Sequence, residues 1–280
     1  CWSKCAEIAP EHPQIHYRLA QAYWVSGQGE RAHEEFLTEI RINPATLDIL
    51  LDFGLFLLES GDLQSAREKF NRILEFHDTF APAYFYLGEV FRIQQQFEDA
   101  IKAYQKALQC DSALAGPRFR LAELRESVDG PQKGVPLLRA EFRLGVEDSD
   151  VLIAMGWMFL RAGELTDASN CFIQSLNEDN ANHEPYFGLG MSLLIHGDYA
   201  GAVECLEQGT ALNPKRPELH LCLGWLYYKL QRWDDAAKCA EQCRQIYPTQ
   251  QPYHSRCKQL QRAIRWKKFQ SHCQKWLKRK

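Results

Sequence analysis

Ten cysteines and nine histidines are the side chains of this 280-residue chain best suited to metal binding or nucleophilic chemistry. Four of them, Cys239, Cys243, His254 and Cys257, follow a C-x3-C-x10-H-x2-C spacing that could wrap a zinc ion. The remaining candidates assemble no motif. There is no G-x-S-x-G elbow, no phosphate-cradling Walker loop and no dinucleotide fingerprint, and His183-Glu184 lacks the second histidine of an H-E-x-x-H zinc site. With no nucleophile and base gathered by spacing, the chain reads as non-enzymatic. No cofactor, metal or small-molecule substrate is expected.

The elements that would position these residues are periodic. In the stretch 81–114, two apolar-periodic runs flank a polar break at Gln94, Gln95 and Gln96, the pattern of two helices and a turn. Stepping by 34 residues in either direction returns the same pattern. Seven units, 13–46, 47–80, 81–114, 115–148, 149–182, 183–216 and 217–250, follow without insertion or deletion. The eighth column of this frame is small (Ala20, Gly54, Gly88, Ala122, Gly156, Gly190, Gly224), as is the twentieth (Ala32, Ala66, Ala100, Gly134, Ala168, Ala202, Ala236). Small groups there let the two helices of a hairpin approach closely. The seventh column is apolar throughout, from Leu19 to Leu223. Gly27, Gly61, Gly163 and Gly197 mark the turn inside a unit, and Pro44, Pro214 and Pro248 end second helices.

Tyr84, Leu87, Gly88, Phe91, Ala100, Tyr104 and Ala107 fall on the motif W-x2-L-G-x2-Y…A-x3-F, so the chain resembles the tetratricopeptide repeat (TPR) family over residues 13–250. The resemblance implies an all-α fold: a right-handed superhelical solenoid of antiparallel helix hairpins, each too small to bury its apolar face alone. Within this frame Cys1, Cys171, Cys205 and Cys239 share one column, and Cys5 and Cys243 another. Residues of one column lie roughly 10 Å apart on successive hairpins, beyond the roughly 7 Å reach of a disulfide. They are expected to be packing thiols in a reducing cytoplasm. Cys243 falls in a column that normally packs a small core residue, which favours packing over zinc. No run of eighteen apolar residues is present.

The ends and the middle depart from the repeat. Residues 1–12 match the end of a unit, with Trp2, Cys5 and Pro10 in phase, so they are expected to be a second-helix remnant of a preceding repeat. A lipoprotein beginning at an acylated Cys1 is the alternative. The fourth unit is degenerate: Gly134 replaces alanine, and Gly130, Pro131 and Pro136 crowd its second helix, which should be short or kinked. Residues 251–280 should form a capping helix with an apolar stripe of Tyr253, Cys257, Leu260 and Ile264, followed by a rotated stripe of Trp266, Phe269, Cys273 and Trp276. This tail holds ten basic residues, among them Arg262, Arg265, Lys267, Lys268 and Lys275, and no acidic one. The formal charge of −3 therefore conceals an acidic body and a basic end. Such a tail suits an acidic protein or an anionic surface.

The resemblance further implies that first helices line a groove, with columns two, five, nine and twelve facing in. Units five to seven would then present Ile153, Trp157, Leu160, Phe187, Met191, Leu194, Leu221, Trp225 and Tyr228 as one apolar surface. Tyr17, Trp24, Leu51, Leu55 and Phe85 would form a secondary groove. The Lys/Asn/Asn/Lys/Arg clamp of chaperone-tail-binding relatives is replaced by Tyr17, Gln21, Asp52, Pro82 and Tyr86. An apolar groove is closer to secretion chaperones and pilus-assembly scaffolds, so the expected function is a protein–protein interaction scaffold or chaperone-like adaptor for an apolar or amphipathic segment. Two alternatives stand beside it. The tail could fill the groove, or the array could be the regulatory or substrate-docking arm of a larger enzyme such as a glycosyltransferase.

Overall fold

The structure, a computed structural model, describes residue 12, residues 14–246 and residues 252–277, with side chains of the last helix described to residue 270. The remnant expected at 1–12 otherwise lies outside the described residues, as do the side chains of Lys275 and Trp276. Fifteen α-helices and no strand are present among the described residues: α1 (Ile15–Val25), α2 (Gly29–Ile42), α3 (Leu47–Glu59), α4 (Leu63–Phe76), α5 (Ala81–Ile93), α6 (Phe97–Cys110), α7 (Pro117–Asp129), α8 (Val135–Phe142), α9 (Ser149–Arg161), α10 (Leu165–Glu178), α11 (His183–His196), α12 (Tyr199–Leu212), α13 (Pro217–Lys229), α14 (Trp233–Ile246) and α15 (Tyr253–Leu277). The chain forms two compact units, one ending at Leu144 and the other beginning at Gly145.

Within each unit consecutive helices pair as hairpins and the hairpins stack, an all-α helical repeat. Close approach is made by the small columns. The alanines at Ala32, Ala66, Ala100, Ala168, Ala202 and Ala236 are fully buried. A Cβ on Gly88 would stand 2.4 Å from Cε1 of Tyr104, and one on Gly156 would stand 2.7 Å from Cε1 of Phe172. The glycine thus makes room for an aromatic ring from its hairpin partner, which is why the eighth position tolerates no larger residue in these hairpins. The turn between helices needs a left-handed residue. Gly27, Gly61, Gly163 and Gly197 supply it, and Gln95 (φ 60°) and Gln231 (φ 63°) adopt it in the third and seventh hairpins.

In the fourth hairpin a 3-10 turn at Pro131–Lys133 precedes α8, which has 8 residues where α2, α4, α6, α10, α12 and α14 each have 14. Pro136, in the first turn of α8, lacks the N–H that an earlier helix start would bond, so α8 begins only at Val135. Gly134 keeps the hairpin closed, since a Cβ there would lie 3.1 Å from the Ala122 carbonyl oxygen.

At the other end, α15 packs on α13 and α14 through Cys257, Leu260 and Ile264, all buried. Leu260 sits against Gly224, where a Cβ would meet its Cδ2 at 2.8 Å. The hairpin's own residue at the position of Tyr104 and Phe172 is Ala240, too small to reach. The last helix therefore completes the seventh hairpin's core.

One column does a job that its apolar neighbours conceal. Buried Glu39 accepts from the backbone N–H of Gln14 (3.0 Å) and Tyr17 (3.0 Å) and from Asn43 Nδ2 (2.5 Å). It thereby caps the amino end of α1 from the opposite helix. Buried Glu141 accepts from the Gly116 N–H at the start of α7 in the same way. Ser175, in the same column, joins Ser149 Oγ at 2.8 Å. First-turn N–H groups have no partner within their own helix, and a long acidic side chain from the packed neighbour satisfies them.

Candidate functional site

In the second unit, α9, α11 and α13 carry the expected groove residues. Trp157 meets Phe172 edge-on (ring centroids 5.4 Å, 71°) and Phe187 at 5.6 Å. Phe187 lies beneath the Arg216 guanidinium at 5.0 Å. Met191 Sδ is 3.9 Å from Cys222 Sγ. Trp225 and Tyr228 stand edge to face at 5.6 Å, and Tyr228 in turn meets Trp233 at 5.3 Å. Between α11 and α13 lies a cavity of about 410 Å³ lined by Leu194, Cys222, Trp225, Leu226, Tyr228 and Lys229. Trp225 is 40% exposed, while Trp157, Leu160, Phe187, Met191, Leu194 and Tyr228 are half-buried.

Two of the expected residues do not offer open surface. Ile153 is 8% and Leu221 5% exposed. Leu221 packs with Cys243, Cys257 and Tyr253, so the fifth column there fills a seam between helices rather than facing the groove. Conversely, Cys222, Leu226 and Lys229 line the cavity without having been expected there. The signal was present in the sequence: 222, 225, 226 and 229 are spaced i, i+3, i+4, i+7, one stripe of a helix. Lys229 keeps its ammonium at the rim, donating to Tyr199 Oη (2.5 Å) and lying 4.2 Å from that ring's centroid. Burial pushes the Cys222 thiol up to about 11, with Glu218 adding to it, so the thiol lines the cavity as a neutral, apolar group.

The first unit's corresponding face is polar. Tyr17 Oη donates to Asp52 Oδ2 (2.7 Å), and Gln21 Nε2 donates to the same oxygen (2.8 Å). Burial and then Asp52 push the Tyr17 hydroxyl's pKa up, so it stays a donor. Trp24 packs edge-on to Phe36 and Phe56 and donates Nε1–H to Glu59 Oε2 (2.8 Å). Leu51, Leu55 and Phe85 are half-buried. On α5, Glu89 binds Arg92 (2.7 Å), Tyr104 Oη (2.5 Å) and Arg120 Nε (3.1 Å). Of the secondary groove residues, Tyr17 and Trp24 are thus held by hydrogen bonds and Phe85 by ring contacts with Tyr86 and Tyr104.

Comparison with known proteins is consistent along the chain. Family profiles described as tetratricopeptide repeat match residues 17–81, 81–113 and 193–262, together more than half of the chain. The chain belongs to the tetratricopeptide repeat family. Among curated proteins it is similar to the Protein O-mannosyl-transferase Tmtc3 of Drosophila melanogaster, 22% identical over 67% of this chain and 20% of that protein. It is also similar to the BBSome complex member BBS4 of Bos taurus, 18% identical over 87% of this chain and 40% of that protein. The chain therefore spans between a fifth and two fifths of these two relatives. Its fold resembles the C-terminal part of a TPR repeat-containing protein from Cytophaga hutchinsonii (TM-score 0.64, 14% identity, 86% of this chain and 98% of that one). It also resembles the pilF protein of Pseudomonas aeruginosa (TM-score 0.59, 21% identity, 75% and 95%).

Beyond the residues expected at the groove, the cysteines and the tail complete the candidate residues. Cys110, Cys171, Cys205, Cys222, Cys239, Cys243 and Cys257 are free thiols. Cys243 and Cys257 are fully buried and in hydrogen-bonding contact. Burial, then Asp235 and Glu207, push Cys239 up to about 11. A zinc ligand must be a thiolate, which this environment disfavours. Among the described residues no three His, Cys, Asp or Glu side chains converge on a common point. On the tail, Arg262, Arg265 and Lys267 are exposed, while Lys268 Nζ pairs with Asp234 Oδ1 at 2.6 Å. Trp266 and Phe269 are 59% and 60% exposed and lie against each other at 6.1 Å. No helix among the described residues is long and apolar enough to cross a membrane.

Proposed function

We propose that the protein is a non-enzymatic interaction scaffold or chaperone-like adaptor whose second unit grips an apolar or amphipathic segment of a partner between α11 and α13. The observation that carries this reading is the apolar cavity of about 410 Å³, with Trp225 at its edge 40% exposed. Wide-faced Trp and Tyr beside a cavity are the side chains that interfaces use as anchors. Assembly with partner proteins also fits the relatives, one of which is named as a member of the BBSome complex. The free thiols favour a reducing compartment, and cytoplasmic residence is part of the proposal. The test is selection of amphipathic peptides from a display library on the intact chain, followed by titration against Trp225→Ala. A selected peptide that binds the variant as tightly as the parent rejects the groove.

A second reading has one specific support. Similarity to an O-mannosyl-transferase over 67% of this chain fits a docking arm attached to an enzyme, the TPR array presenting substrates rather than transforming them. The gene's full reading frame decides it: a contiguous transferase domain supports the arm, and its absence removes it.

A further inference from the structure

Exposed aromatic rings and cations share one face of α15. Advancing 100° per residue, Cys257, Leu260 and Ile264 fall together on the face that packs on α13 and α14. Lys258, Arg262, Arg265, Trp266 and Phe269 fall within roughly 100° of arc on the opposite face, and all five are exposed. The helix cannot roll to hide them. Its buried stripe is fixed in the core, Lys268 is tied to Asp234 at 2.6 Å, and Gln261 Nε2 donates to Glu241 Oε2 at 3.4 Å. Acids are absent from residues 251–280, which carry ten basic side chains. The chain thus holds out a convex, cationic ridge with a paired Trp–Phe wedge.

A partner for this face must be anionic and must accept two aromatic rings without offering a groove, because the surface is the outside of a cylinder. An anionic lipid bilayer meets both demands. Its phosphates pair with Lys258, Arg262 and Arg265, and Trp and Phe favour the headgroup level, where ring bodies leave water. Trp266 and Phe269 already cover part of one another, which suits a wedge better than a platform for stacked bases. We propose that the outward face of α15 docks the protein peripherally on anionic phospholipid membranes, with Trp266 and Phe269 inserted and Lys258, Arg262 and Arg265 on the phosphates. The helix lies on the surface and does not span it. This site is separate from the apolar cavity of α11 and α13, and neither reading depends on the other.

The experiment is co-sedimentation of the full chain with phosphatidylcholine vesicles, with and without phosphatidylserine, at low and high salt. A parallel measurement follows quenching of tryptophan fluorescence by brominated acyl chains. Binding is expected with phosphatidylserine, with a loss of about tenfold or more when the anionic lipid is omitted or salt is raised. Arg262→Gln/Arg265→Gln should weaken binding by about tenfold. Trp266→Ala/Phe269→Ala should weaken it similarly and reduce the brominated-lipid quenching, while Trp266→Phe should retain binding. All these side chains are exposed, so unchanged thermal unfolding is expected for each variant, and Trp225→Ala should bind vesicles like the parent. The proposal is overturned if phosphatidylserine vesicles are not bound, if neither double variant weakens binding, or if the brominated lipids do not quench. Tighter retention on single-stranded RNA or on an acidic protein, with the same variant sensitivity, overturns it too.

Discussion

Trp225 combines two properties that rarely meet in one core-adjacent residue: it lines a cavity, and 40% of it faces water. Its removal should therefore cost the fold little and a ligand much. We expect Trp225→Ala to change stability by less than about 1 kcal/mol and to weaken a groove ligand by about 2 kcal/mol or more, read by urea unfolding and by titration calorimetry. The turn residues offer the opposite case, where nothing binds and stability alone moves. Gln95 and Gln231 hold the left-handed conformation that four other hairpins assign to glycine. Gln231→Gly should stabilise by about 0.5–1 kcal/mol, because the strain of a side chain there exceeds the added freedom of the unfolded chain. A lower melting temperature for that variant would contradict the assignment. The recurring glycine was visible in the sequence. That glutamine adopts the same backbone in two hairpins was not, because residue type alone does not report φ.

Two buried carboxylates show how the same residue type takes opposite roles when different helices surround it. At Glu89, burial pushes the carboxyl pKa up, but hydrogen bonds from Arg92 and Tyr104 and the charge of Arg120 outweigh it, and the net shift is downward. Its contribution to stability is present above the unfolded value of about 4.5 and is lost as pH falls through the lower folded value. At Glu141, burial dominates over the Gly116 N–H and Arg118, and the shift is upward. Arg118 Nη1 stands 4.0 Å from Glu141 Oε2, and neither atom has a hydrogen-bond partner. That contribution is present below the unfolded value and is lost as pH rises through the higher folded one. Glu89→Gln should accordingly destabilise at neutral pH by about 1–3 kcal/mol and flatten the acid limb. Glu141→Gln should be neutral to stabilising at pH 8, since the amide still accepts from Gly116 without a buried charge. Denaturant midpoints across pH 3.5–8 separate the two. The helices themselves, their pairing and the close-packed columns were legible because small and apolar residues repeat every 34 positions. The acidic caps at Glu39 and Glu141 were not, because they interrupt an otherwise small or apolar column, and only the opposing helix's open N–H groups explain them.

At the scale of the whole molecule, each unit is a stack of hairpins, and in such a stack a hairpin touches only its neighbours. Each hairpin is stabilised by its neighbours, and an end hairpin by whatever covers it. The seam columns made that stacking legible. The inward columns that the family resemblance implies placed Ile153 and Leu221 at the groove, yet both are buried, Leu221 in the seam with Cys243, Cys257 and Tyr253. At the carboxyl end the covering element is α15, and its contribution centres on Leu260, which fills the space over Gly224 that Ala240 leaves. Leu260→Ala should open a cavity in the seventh hairpin and cost about 3 kcal/mol. The loss should pass first to α13 and α14 and then along the second unit, because coupling runs between nearest neighbours. Hydrogen exchange gives the readout: amides of α13 and α14 should lose the most protection, those of α9 and α10 less, and those of α1 to α6 none. Equal loss in α1 to α6 would mean that the chain unfolds as one body, and the nearest-neighbour description of its stability would then fail.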